Sequence, residues 1–313
     1  MKHLPLPLFA AVMGLCGLAM VWRALDAHWA YAYAVSAGAA WTAAGLMILL
    51  LAGYGWKALR HRDTVMAELR NPVRVNFLPA ISIDLILLGI LFRAWTPRLA
   101  FALWTVGVVL HLILTVAVVS TWLQGGKDIA TLNPAWFIPA VGNVLVPIAA
   151  VPAGYVETAW LFIAMGLFFW IALGTLVFYR LIFAPPLAPV MRPTLVVLLS
   201  PPAVGFLAWM ELNGAAGFPG RLLFYTAVAT FLLLLPQIPA FLRLSFAPSW
   251  WAYTFPLAAF CVAVHRFAVE TGAFPPWAAL ALGIPVTAVI LAVLGATLHA
   301  LARGRLLVPE TAH

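Results

Sequence analysis

Asp84 is the one acidic residue of this 313-residue chain that falls well inside an apolar stretch, between Ile81-Ser82-Ile83 and Leu85-Ile86-Leu87. A charged carboxylate at such a place costs about 2.5–3.5 kcal/mol on insertion scales and marks function by default. Three chemistries fit it: a neutral carboxylic acid, an ion pair with a helix-end arginine such as Arg93, or a proton site in a carrier. His111, His265 and His299 lie on different apolar segments at no metal-ligand spacing. No HExxH, GxSxG or glycine-rich phosphate loop occurs, and no lysine sits near the middle of an apolar run to hold retinal. Cys16 and Cys261 both fall inside apolar runs, where packing is expected rather than a disulfide framework. These residues argue against an intramembrane enzyme, and neither a cofactor nor a metal is expected.

The elements that position these residues are membrane helices. Of all residues, 65% are hydrophobic and 8% charged, against roughly 25% charged in a soluble domain. A spanning helix needs about 20 mostly apolar residues. Runs of that length extend over roughly 5–23, 32–57, 74–92, 98–123, 135–152, 158–183, 193–212, 220–243, 250–269 and 276–302. The first opens after only Met1, Lys2 and His3 without a small-residue cleavage site, so it is expected to be a mature helix. The fold class is therefore an all-α polytopic membrane protein of ten helices, forming a single transmembrane domain over 1–313.

The net charge of +8 comes from Lys and Arg at helix ends, which marks topology rather than a nucleic-acid surface. Of the 17 basic residues, 12 lie on the side of the termini and 5 opposite. The positive-inside rule then puts both termini in the cytoplasm of a bacterial inner membrane. The polar stretch from Lys57 to Arg74 is expected to carry the second helix beyond the bilayer as a solvated end, until Asn71-Pro72 stops it.

Proline sets the odd-numbered segments apart. It begins them and recurs inside, at Pro79, Pro139, Pro201 and Pro256, with intervals of 60, 62 and 55 residues. The spacing predicts five helical hairpins, about 1–57, 58–123, 124–183, 184–243 and 244–313, each pairing one proline-kinked helix with one regular helix. The first segment departs from the pattern, with Pro5 and Pro7 at its start but only Gly14 and Gly17 within. Proline frees a carbonyl, and irregular backbone at membrane depth survives only against protein or a watery cavity. The kinked odd helices are therefore expected inside, in a quasi-fivefold ring around a central conduit.

Several motifs carry a resemblance. Trp250-Trp251-Ala252-Tyr253-Thr254-Phe255-Pro256 is similar to the ninth helix of plant guard-cell slow-type anion channels. Asn71-Pro72-Val73-Arg74, Trp122-Leu123-Gln124-Gly125-Gly126 and Asn133-Pro134-Ala135-Trp136-Phe137-Ile138-Pro139 resemble bacterial tellurite-resistance protein A. Both belong to the tellurite-resistance/dicarboxylate transporter family. The resemblance implies ten helices in five hairpins, a homotrimer with one pore per subunit, and a phenylalanine on helix 9 that occludes the pore. Here that residue is Phe255.

The expected function is then a gated channel for small anions such as chloride or nitrate. Without a strong fixed cation in any span, an ion is not held too tightly to leave. Anions would be favoured by backbone dipoles at the breaks near Pro79, Pro139, Pro201 and Pro256 and by Ser82, Asn143, Ser200 and Thr254 as donors, with Gly14 giving the Phe255 ring room. The alternative is a proton-coupled carrier or exporter of dicarboxylate, sulfite or tellurite-type anions, with Asp84 as proton site. Expected partners are thus small inorganic or organic anions, the lipid bilayer and two further copies of the chain.

Overall fold

The computed structural model describes residues 2–26, 29–275 and 277–307. The chain ends that the sequence assigns to the cytoplasm, Met1 and 308–313, lie outside the described residues. Ten helices are long and apolar enough to cross a membrane: α1 (Leu6–Ala24), α2 (Ala32–Arg60), α3 (Arg74–Phe92), α4 (Pro97–Leu123), α5 (Pro134–Ala153), α6 (Val156–Phe183), α7 (Pro189–Asn213), α8 (Gly217–Phe241), α9 (Pro248–Thr271) and α10 (Leu280–Ala302). There is no strand among the described residues. This is a multi-pass membrane protein, and its span boundaries follow the apolar runs because a backbone in lipid must satisfy its hydrogen bonds within its own helix.

Burial alternates along the chain. In the most apolar stretch of each odd span 61% to 78% of residues are buried, against 22% to 39% in the even spans. Neighbouring odd spans pack on one another, α1 on α3, α3 on α5, α5 on α7, α7 on α9, and α9 back on α1. Each even span lies against the odd span before it, and turns residues such as Ile48, Leu49, Phe168 and Leu233 outward. Small residues allow the close inner contacts, since tight packing rather than water exclusion drives helix association in lipid.

The odd spans share a backbone change. Each starts as a 3-10 helix and becomes α further in: at Ala10 in α1, Ala80 in α3, Phe137 in α5, Ser200 in α7 and Thr254 in α9. Pro79, Pro139, Pro201 and Pro256 lie within two residues of the last four junctions. A missing N–H and a fixed φ near −65° explain why the ladder changes there. In α1, Pro7 within the turn Leu6–Phe9 accompanies the same change although no inner proline follows. The 3-10 stretch of α7 runs for 11 residues, Pro189–Leu199, far beyond the usual three or four.

The segment after α2 differs from the expectation of one continuous solvated helix. The chain turns at His61 (φ −135°, ψ 52°) and starts a separate short helix, Arg62–Arg70. This turn folds Glu68 back onto Lys57, both buried, with Nζ donating to Glu68 Oε1 at 2.6 Å and to the Leu4 carbonyl at 2.7 Å. Tyr54 donates to the other carboxylate oxygen at 3.2 Å. A buried ammonium must be paired, and the requirement outweighs helix continuity here.

Candidate functional site

Two cavities of about 50 Å³ each lie within the ring of odd spans. Every residue lining them belongs to α1, α3, α5, α7 or α9, and none to an even span. The proximal cavity reaches Pro7, Phe77, Ala135 and Pro248, at the beginnings of the odd spans. The distal cavity reaches Ile83, Leu145 and Val204, further along them. Five side chains line both: Met13, Ile138, Val197, Ser200 and Phe255. They form a waist.

The waist is apolar except for Ser200, whose hydroxyl makes no hydrogen bond to the described residues. The other hydroxyls on the proximal cavity are occupied: Thr194 donates to the Met191 carbonyl at 2.6 Å and Ser249 to that of Val190 at 2.5 Å. No charged side chain lines either cavity. An apolar constriction of this kind resists wetting.

Phe255 stands in the first turn of the α-helical part of α9, next to the junction at Thr254. It is 4% exposed, so the ring fills the waist rather than hanging in an open lumen. Opposite it, Gly17 lets α1 approach: a methyl group there would come 2.8 Å from the Ala258 methyl and 3.6 Å from Phe255 Cδ2.

The other residues singled out from sequence separate into two groups. Ser200, Pro201 and Pro256 lie with Phe255 on the cavity walls. Gly14, Pro79, Ser82, Pro139, Asn143 and Thr254 line neither cavity and are engaged between helices. Gly14 packs on Thr254 and Trp251, while Thr254 donates to the Trp251 carbonyl at 2.7 Å. Ser82 donates to the Pro79 carbonyl at 2.7 Å and lies 2.9 Å from His111 Nδ1. Because its single hydroxyl proton is used on Pro79, the bond to His111 requires a proton on Nδ1. Thr115 donates to the Pro139 carbonyl at 2.6 Å and accepts from Asn143 Nδ2 at 3.2 Å. These bonds brace the irregular backbone of α3 and α5 from the side of α4.

Asp84 is fully buried, and neither carboxyl oxygen has a hydrogen-bond partner among the described residues. The ion pair with Arg93 therefore does not form. Asp84 also lines neither cavity.

Met13, Ile138 and Val197 were not singled out from sequence. One signal does point to part of the waist: Ile138, Ser200 and Phe255 each immediately precede an inner proline. Equivalent places in the repeat thus reach the same level of the axis. Leu78, before Pro79, does not.

The S-type anion channel SLAH2 of Arabidopsis thaliana is 26% identical over 307 residues, covering 95% of this chain and 59% of that protein. The guard cell S-type anion channel SLAC1 of the same plant is 27% identical over 252 residues, 78% of this chain and 45% of that one. The chain thus spans about half the length of these plant relatives. An uncharacterized transporter of Methanocaldococcus jannaschii is 26% identical over 285 residues, with 82% and 81% covered. The motif resemblance therefore leads to a family of anion channels and transporters rather than enzymes. The sequence profile described as voltage-dependent anion channel matches residues 3–298, from the first span into the last, and the chain belongs to that family, SLAC1.

Proposed function

We propose that the chain is a gated channel for small anions of the chloride or nitrate type, with Phe255 as the occluding side chain. The observation that carries this reading is the waist: two axial cavities, walled only by the five odd spans, separated where Phe255 meets Met13, Ile138 and Val197. Five hairpins surround the passage, both termini face the cytoplasm, and three copies assemble with one passage each. Alternating burial supports the inner and outer rings. Anion preference comes from the Ser200 hydroxyl, from backbone dipoles at the 3-10 to α junctions, and from the absence of acidic side chains on the walls. The names of the plant relatives, as S-type anion channels, support the substrate class.

A proton-coupled carrier is the second reading, favoured by Asp84, buried with both oxygens unpartnered. Flux into liposomes holding the purified protein separates the two. The channel reading expects chloride and nitrate to move passively, Phe255→Ala to raise the flux several-fold, and a proton gradient to leave it unchanged. Unaltered flux in a stably folded Phe255→Ala protein would remove the gate, and uptake that requires a proton gradient would replace channel by carrier.

A further inference from the structure

A groove of about 320 Å³ runs between α8, α9 and α10, on the side of α9 away from the axis. Its walls are apolar, among them Phe231, Leu242, Leu257 and Val293, and its size falls in the range of small-molecule sites, about 300–1,000 Å³. Two lining residues are out of keeping with an apolar wall. Trp250 Nε1 and Tyr253 Oη are buried and have no hydrogen-bond partner among the described residues, although Tyr253 is only 9% exposed. Buried polar groups in proteins are nearly always satisfied, so these two mark a place where an acceptor from outside the chain belongs.

The groove has the length of one leaflet. From Leu242 to Phe231 the wall of α8 extends roughly 16 Å at 1.5 Å per residue, about half of the ~30 Å hydrocarbon core. At the Leu242 end it meets a second recess of about 380 Å³, sharing Phe241 with it and lined by Arg192 and Gln237. Arg180, buried beside that recess, donates to the Pro185 carbonyl at 2.8 Å and leaves its Nε unpartnered. Arg243 follows α8 at the same end. No Asp or Glu occurs between Glu157 and Glu211, or between Glu211 and Glu270. Among the described residues none of these three arginines pairs with an Asp or Glu.

We propose that this groove binds one anionic phospholipid, with an acyl chain along α8 and α10, ester oxygens accepting from Tyr253 Oη and Trp250 Nε1 as the rings turn toward them, and the phosphate beside Arg192. The site lies on the span that carries Phe255 but does not depend on which ion the axial passage conducts.

The test titrates the delipidated full chain in mild detergent with phosphatidylglycerol, phosphatidylcholine or inorganic phosphate, and counts bound molecules by native mass spectrometry. One phosphatidylglycerol per chain should bind at least tenfold more tightly than phosphatidylcholine. Arg192→Gln should remove that preference, and Tyr253→Phe should weaken both lipids several-fold. Ala292→Trp, which fills the groove from an exposed position, should abolish tight binding while leaving the lipid-free unfolding temperature unchanged. Equal binding of inorganic phosphate, unaltered lipid binding in Ala292→Trp, or a change of oligomeric state in that variant would each overturn the proposal, the last by making a second copy the occupant.

Discussion

Gly14 of α1 and Thr254 of α9 are packed so closely that a methyl group on the glycine would overlap the threonine hydroxyl, and would stand 2.8 Å from the Trp251 ring. The contact fixes α1 against the junction where α9 turns from 3-10 to α, one residue before Phe255. Gly14→Ala should therefore destabilise the protein by about 1–3 kcal/mol, the usual cost of overpacking. Adding Thr254→Gly should restore part of the loss in thermal unfolding. Equal melting temperatures for wild type and Gly14→Ala would show that the two helices separate freely.

The waist predicts a graded series in anion flux. Phe255→Ala should raise flux most, Phe255→Leu to an intermediate level, and Ile138→Ala or Val197→Ala less than either, since each removes a smaller part of the constriction. Phe231, which stacks on Phe260 at 4.8 Å outside the axis, is the control. Phe231 is half-buried, so Phe231→Ala should lower stability by less than the about 3–5 kcal/mol of a fully buried Phe, without raising flux. A Phe231→Ala protein as leaky as Phe255→Ala would mean that loosened packing, not an opened waist, carries the current.

Asp84 lies off both cavities, so Asp84→Asn should leave passive chloride and nitrate flux within twofold of wild type. Amide and carboxyl have nearly the same shape, and the variant removes only the titrating group. Loss of a proton-driven component in this variant, measured with and without a pH gradient, would favour the carrier.

Lys57 and Glu68 form a buried pair that also holds the Leu4 carbonyl at the entrance of α1. Breaking such a pair from one side typically costs about 3–5 kcal/mol, because the remaining charge is left buried. Glu68→Gln should lower the melting temperature sharply, and the double variant Lys57→Met, Glu68→Leu should recover much of it. Near-additive losses in this cycle would argue that the two groups act independently.

Thr115 relays the Pro139 carbonyl to Asn143. Thr115→Val keeps the shape and leaves two buried polar groups without that partner, a cost of about 1–3 kcal/mol, whereas Thr115→Ser should be nearly neutral. Thermal unfolding of the two variants side by side is the measurement, and equal losses in both would assign Thr115 a packing role only.

The ten spans were legible in the sequence because apolar length is a local property that lipid enforces directly. The proline repeat was legible for the same reason: a missing N–H acts on its own helix, and the junctions at Ala80, Phe137, Ser200 and Thr254 fall beside the prolines. Sequence reasoning chose short polar residues as walls, yet Ser82 and Asn143 meet His111 and Thr115 of α4, and Thr254 donates to the Trp251 carbonyl of its own span, so none of the three lines a cavity. Which face of an odd helix meets the axis is fixed by its contacts with two other odd helices, distant in the chain. Only the tertiary structure could therefore bring Met13 and Val197 to the level of Phe255, or fold Glu68 back onto Lys57. The sequence by itself determined the number, length and irregularity of the helices, since those follow from each segment's own backbone in lipid; packing between segments decided what lines the axis.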